Sequence, residues 1–343
     1  MRSVEVHEYG TARDVLIFNQ DAPLPEPAAD EIRIRIHASS VNNIDCAIRG
    51  GYGRNIFKAR GLFELPLIMG RDVSGVVEKV GEDVTTFAIG DEVYAAPNNR
   101  GCADYVTVKA DFVAFKPKNI THLEAACFPY VTLTAWAALV EHAGLTAADT
   151  AGQKVFLPRG SGGVGVLAIQ WMKAWGAHVA TTCSTANLEL VRALGADEVL
   201  DYTQEDFDGK LTDYDVALDM LGHDMEPAVL ASLKENGSAR YVSIVSPLML
   251  LTDEHGYDEG CRIYEEQLAA RKAEQAKLGR EFAWSFMHPS AEALATIAGL
   301  IEQGKIKPVV DRVYPLDQLV EAHEYVESKR ARGKVVIDIF QAT

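Results

Sequence analysis

The run Val155-Phe156-Leu157-Pro158-Arg159-Gly160-Ser161-Gly162-Gly163-Val164-Gly165 constrains the fold of this chain more than any other. It sets glycines at 160, 162 and 165 in the spacing G-x-G-x-x-G, between a short apolar strand and the helical run Val164 to Trp175. In such a turn one glycine allows the tight reversal, one lets the backbone approach a diphosphate, and one lets the helix lie close on the sheet. The helix N-terminus then offers unpaired N–H groups and the positive end of its dipole to phosphate. A second strand, His178 to Thr182, and a helix, Asn187 to Leu194, follow, with further strands at Val216-Ala217-Leu218 and Tyr241 to Val245. Strands alternating with helices of this length build a parallel sheet covered on both faces. The expected fold is therefore α/β, with a doubly wound parallel-sheet (Rossmann) domain that holds a dinucleotide at Gly160, Ser161, Gly162, Gly163, Val164 and Gly165.

The end of the second strand selects between dinucleotides. An Asp or Glu about 20 residues beyond the glycines would accept hydrogen bonds from the NAD ribose. Here the strand runs out as Ala180-Thr181-Thr182-Cys183-Ser184-Thr185, with no carboxylate to repel a 2′-phosphate. NADPH is the expected cofactor. Ser184 serves equally as a helix cap, and no Lys or Arg follows closely to pair the phosphate.

Ahead of about residue 120 the pattern is of short strands and turns, such as the alternating Glu31 to Ile36 and the β-rich Val73 to Val80, which implies an antiparallel, barrel-like domain. Beyond the parallel-sheet pattern lie a polar helix from Arg262 to Lys277, a strand from Phe282 to Met287, a helix from Ala291 to Gln303 and a closing strand from Lys334 to Ile339. A length of 343 residues accommodates two domains.

Lys and Arg number 33 against 49 Asp and Glu, and the resulting charge of −16 makes nucleic acid and anionic membrane surfaces poor partners. The uncharged run Ala125 to Val140 is too short for a bilayer and is broken by Pro129, so it is read as buried and no membrane insertion is expected. The N-terminus enters a strand directly and shows no apolar leader, which makes a cytoplasmic protein the expectation. Five dispersed cysteines without a C-x-x-C pair read as reduced, structural thiols.

The whole chain resembles the medium-chain dehydrogenase/reductase superfamily and, within it, the zinc-free quinone-oxidoreductase branch. The resemblance rests on Val41-Asn42-Asn43-Ile44-Asp45, Gly70-Arg71-Asp72-Val73-Ser74-Gly75, Gly90-Asp91-Glu92-Val93, Phe128-Pro129-Tyr130-Val131-Thr132, the glycine turn, Leu194-Gly195-Ala196-Asp197, Gly304-Lys305-Ile306-Lys307-Pro308 and Ala331-Arg332-Gly333-Lys334. Gly70-Arg71-Asp72, Pro129-Tyr130-Val131 and the Trp284 segment are most similar to the reticulon-interacting mitochondrial oxidoreductases. The resemblance implies a GroES-like β-barrel catalytic domain over 1–124, the NADP-binding Rossmann domain over 125–288 and a return to the catalytic domain over 289–343.

Zinc-bearing members place Cys, Gly-His-Glu and Cys where this chain has Asn42, Gly70-Arg71-Asp72 and Tyr130. Asn, Arg and Tyr do not supply the thiolate and imidazole set that zinc requires, so no metal site is expected. Arg71 reads as an ion-pair partner of Asp45 or Asp72, with a direct substrate contact as the alternative, and His37, His122 and His178 read as structural.

Hydride transfer to a conjugated carbonyl builds negative charge on its oxygen, which needs a donor. The family likeness offers three candidates, Tyr52, Asn42 and Tyr130, and places Ser184, Tyr202 and Arg332 near the 2′-phosphate and cofactor. The expected function is NADPH-dependent reduction of a small-molecule quinone or conjugated carbonyl (enone or enal). A reductase of enoyl thioesters, suggested by Arg49, Arg54, Lys58 and Arg60 beside Tyr52, and a non-catalytic NADPH-binding protein are the alternatives. A homodimer is expected from the family likeness and from the apolar strand beginning at Phe282, if that strand lies at a sheet edge.

Overall fold

A computed structural model describes residues 1–205, 209–235 and 237–340 of the chain. The chain forms two compact units, one from Met1–Leu133 together with Pro289–Thr343, the other from Thr134–His288.

The first unit is organised around the strand Glu31–Val41, which pairs antiparallel with Val73–Val80, Tyr105–Lys109 and Lys334–Asp338. Its alternation puts Ile32, Ile34 and Ile36 into the core with Val73, Val93, Val106 and Ile337. Strands Glu92–Ala95 and Val113–Phe115 extend one flank of this seven-stranded sheet, and Val310–Pro315 closes the other. The pairing of Val310–Pro315 with Lys334–Asp338 is parallel, and the helix Leu319–Glu327 makes the crossover between them. A small antiparallel sheet orders Leu16–Asn19, Ser3–Val6 and Leu67–Ile68.

In the second unit six parallel strands stand in the order Glu198–Asp201, His178–Cys183, Lys154–Leu157, Val216–Asp219, Ala239–Ser243, Arg280–Trp284. By position along the unit this is 3-2-1-4-5-6, the doubly wound order whose direction reverses beside the first strand. The C-terminal end of Lys154–Leu157, which carries the glycine turn, therefore sits at the topological switch point where α/β sheets bind ligands.

Three boundaries differ from the sequence reading. The first unit keeps the chain to Leu133, not 124, because the helix His122–Ala125 packs on the barrel strands and the Tyr130 amide donates to Asp72 at 2.6 Å. The last strand of the second unit is Arg280–Trp284, starting two residues earlier than expected, since Arg280 is drawn in by donating to the carbonyls of Leu230, Leu233 and Lys234. The polar helix begins at Tyr257 and runs to Ala276, after a separate helix Leu248–His255. Among the described residues one helical stretch, His122–His142, has the length and apolarity of a membrane span, but 72% of its most apolar window is buried inside the protein, as in a core helix.

Candidate active site

In the second unit the strand ends at Leu157, and Arg159 turns the chain with φ +64°. Two hydrogen bonds fasten this turn to the second strand: the Arg159 amide donates to Thr182 Oγ1 at 3.1 Å and the Gly160 amide to the Thr182 carbonyl at 3.0 Å. A Cβ on Gly160 would lie 2.1 Å from Thr181 Oγ1, and one on Gly165 would lie 2.6 Å from the Arg159 carbonyl, so both positions admit only glycine without a shift of the turn. Gly162 caps the helix Gly163–Ala174, whose first amides have no partner within the helix. Gly160, Ser161, Gly162, Gly163, Val164 and Gly165 thus form one cradle. Its close backbone and helix N-terminus fit the diphosphate of a dinucleotide.

Ser184 lies beside this cradle, for Asn187 Nδ2 donates both to Ser184 Oγ at 3.1 Å and to Ser161 Oγ at 3.2 Å. Tyr202 follows the third strand, 58% exposed, and its amide donates to the Cys183 carbonyl at 3.2 Å. The nearest strand-end carboxylate, Asp201, accepts from Thr203 and from Thr185, and these hydroxyls hold it below the usual carboxylate range. Arg332 belongs to the first unit, exposed, its amide on Asp311 Oδ2 at 3.1 Å.

The first unit holds a buried ionic network. Asn42 caps the helix Asn43–Arg49, its amide N–H accepted by Asp45 Oδ2 at 2.8 Å. The Asn42 side chain donates to Asp45 Oδ2 at 3.2 Å and to Asp72 Oδ2 at 2.8 Å, while its Oδ1 accepts from the Lys334 ammonium. Asp72, fully buried, also accepts from Ser40 Oγ at 2.5 Å, from the Tyr130 amide and from Lys334 Nζ at 3.2 Å. Arg71 Nε stands 3.4 Å from Asp45 Oδ1, and its guanidinium lies 4.6 Å from the Phe63 ring centre and 5.7 Å from that of Tyr130. Burial pushes the Asp45 carboxyl up to about 6 against the pull of Arg71.

Tyr52 follows this helix, half-buried, its amide bound to the Ala47 carbonyl at 3.0 Å. Lys334, absent from the sequence reading as a site residue, is central to the network. Its only sequence signal is its place in Ala331-Arg332-Gly333-Lys334, because its partners lie 262 and 292 residues away.

Other groups are structural. His37 stacks on Phe340 at 4.3 Å, His122 bonds Ser74 Oγ at 2.7 Å, and His178 pairs with Glu198 at 2.6 Å. Burial raises the Cys127 thiol to about 12 and Cys183 to about 11, which keeps both as poor nucleophiles.

Residues 28–135 match the model of an alcohol dehydrogenase GroES-like domain, and residues 194–337 that of a zinc-binding dehydrogenase. NAD(P)H oxidoreductase RTN4IP1, mitochondrial, of Danio rerio is 39% identical over 98% of this chain and 90% of its own. The 2-methylene-furan-3-one reductase of Solanum lycopersicum is 35% identical over 98% and 79%. The solved quinone oxidoreductase of Coxiella burnetii superposes with a TM-score of 0.82 at 30% identity, over 99% of both chains.

The zinc that one family description implies does not fit the residues here. No group of three or more His, Cys, Asp or Glu converges among the described residues, and an ammonium, Lys334, already lies against Asn42 and Asp72. The cytoplasmic expectation is overturned, since the zebrafish relative and its mouse, bovine and human counterparts are named as mitochondrial proteins. With the cradle at the switch point, a GroES-like unit beside it in sequence and relatives matched nearly end to end, the chain belongs to the medium-chain dehydrogenase/reductase family, as an NAD(P)H oxidoreductase of the quinone oxidoreductase type.

Proposed function

We propose that this protein uses NADPH to reduce conjugated acceptors, quinones and enones or enals, without a metal ion. The observation that carries the reading is the ammonium of Lys334 bonded to Asn42 and Asp72, in a network that has no soft ligand for a Lewis acid. Without a metal to polarise an isolated carbonyl, the acceptor has to be electron-poor through its own conjugation. The printed names of two relatives support this, one a quinone oxidoreductase, the other a reductase whose named substrate carries a methylene group conjugated to a ring ketone.

When bound, reduced nicotinamide supplies the hydride. The chain's part is to hold the dinucleotide and to meet the charge left on the acceptor oxygen. We assign the second task to the Tyr52 hydroxyl, with Tyr130 as the other candidate donor. Asn42 is a positioning residue in this scheme: both of its amide protons and its oxygen are spent on Asp45, Asp72 and Lys334. NADPH rather than NADH follows from the strand end at Cys183-Ser184, which has no acid, and from Asp201 being tied to Thr185 and Thr203. The enoyl-thioester reading loses part of its support, because Arg49 is buried against Glu327 and leaves only Arg54, Lys58 and Arg60 exposed.

A panel of a quinone, an enone, an enoyl thioester and a saturated ketone, run with NADPH and with NADH, tests the reading. Turnover is expected on the first two with NADPH, and only weakly on the ketone. Faster reduction of the thioester would favour the alternative substrate class, and tight cofactor binding with no turnover would favour a non-catalytic protein.

We also propose a homodimer. Strand Arg280–Trp284 is the sheet's edge, paired only with Ala239–Ser243 among the described strands, and an open edge invites a second copy. Light scattering at micromolar concentration should give twice the 37.4 kDa chain mass, and the monomer mass alone would overturn the assignment.

A further inference from the structure

The reading of NADPH preference lacks a cation, because no Lys or Arg follows Ser184 closely in sequence. The turn itself contains one. Arg159 is exposed and stands at φ +64°, a left-handed conformation that strains a residue with a long side chain and recurs at functional sites. No carboxylate among the described residues pairs with its guanidinium, in a chain whose net charge is −16.

Two observations place this side chain. Its amide donates to Thr182 Oγ1 at 3.1 Å, which brings Arg159 to the end of the second strand, two residues before Ser184. Its Nε lies 3.6 Å from where a Cβ of Gly162 would stand, so the guanidinium stem runs along the cradle rim. That rim is joined to Ser184 through Asn187, which bonds the hydroxyls of Ser161 and Ser184 together. The cation and the acid-free strand end thus border the same small region.

We infer that Arg159 supplies the positive charge that recognises the cofactor's 2′-phosphate. This rests on the proposed NADPH preference and adds to it a specificity residue taken from the glycine turn, where selection by the second strand alone would not place one. A guanidinium suits the task, since it stays charged at all working pH values and offers paired donors to phosphate oxygens.

The test is equilibrium binding by calorimetry to the intact chain, of NADPH, NADH, 2′,5′-ADP and 5′-AMP. Arg159→Gly is the informative variant, because glycine adopts the positive φ freely and the turn is retained. The variant should lose roughly ten- to a hundredfold in affinity for NADPH and 2′,5′-ADP, the range of a charge-assisted phosphate contact, with NADH and 5′-AMP unchanged. Arg159→Lys should recover part of the loss. Equal losses for NADPH and NADH would overturn the inference and move the guanidinium to the diphosphate; NADPH binding that the glycine variant leaves intact would overturn it outright. Unaltered protein that binds NADH as tightly as NADPH would instead overturn the underlying preference, and the inference with it.

Discussion

Lys334→Met is expected to destabilise the first unit by about 3–5 kcal/mol, the cost of removing one partner from a buried ion pair. Asp72 is fully buried and would keep three donors, from Ser40, Asn42 and Tyr130, but no adjacent cation; the Arg71 guanidinium is committed to Asp45. Asn42 would lose the donor to its Oδ1 as well. Urea denaturation should show the midpoint falling by at least about 1 M with little change in slope. Far-UV circular dichroism is the appropriate probe, because Trp136, Trp171, Trp175 and Trp284 all lie in the second unit and indole fluorescence would miss the first. The double variant Lys334→Met with Asp72→Asn should regain part of the loss, since it leaves no uncompensated buried charge. A single variant within about 1 kcal/mol of the unaltered protein would mean that hydrogen bonds alone carry the Asp72 carboxylate.

Tyr52→Phe is expected to lower kcat on enones roughly a hundredfold, because one well-placed donor to a developing oxyanion is worth about 2.7–4 kcal/mol in a dry site. The ring and the amide bond to Ala47 remain, so NADPH affinity should not move. Quinones should suffer less, as a hydroquinone anion is already delocalised and takes its proton from water. Steady-state rates on both acceptor classes, with cofactor affinity measured separately, decide the matter. Unchanged enone turnover would shift the donor to Tyr130 or to solvent.

The parts of the fold legible in the sequence are those set by local periodicity. The strand at Lys154–Leu157, its glycines and the helix after it read correctly because steric demand at Gly160 and Gly165 is met by neighbours close along the chain or in the adjoining strand. The boundary near 124 did not, because Ala125 to Val140 is uncharged throughout and nothing in its composition shows that the chain stays with the barrel to Leu133. Lys334 was invisible as a site residue for a related reason: pairing across 262 residues leaves no local pattern, and a lysine at the head of a strand ordinarily reads as solvated. Arg159 was hidden by the motif itself, since the glycine spacing carries its signal and φ is not encoded in spacing. Asn42, Tyr130 and Arg71 were found through likeness to ligand positions; the ion pair of Arg71 with Asp45 was among the pairings expected, whereas the bonds of the Asn42 side chain to Asp45 and Asp72 and of the Tyr130 amide to Asp72 emerge only in three dimensions.

The interrupted course of the first unit bears on how a ribosome delivers it. Its central strand Glu31–Val41 is made about 290 residues ahead of one neighbour, Lys334–Asp338. The inserted unit, contiguous from Thr134 to His288, is complete while that neighbour is still untranslated. At about 5–20 residues per second, roughly 200 residues separate the end of the first stretch from the returning strand by about 10–40 s. Throughout that interval Asp72 lacks its lysine and one flank of the strand lies unpaired, so a nascent-chain chaperone would meet the first unit with an open sheet after the inserted unit has already been made.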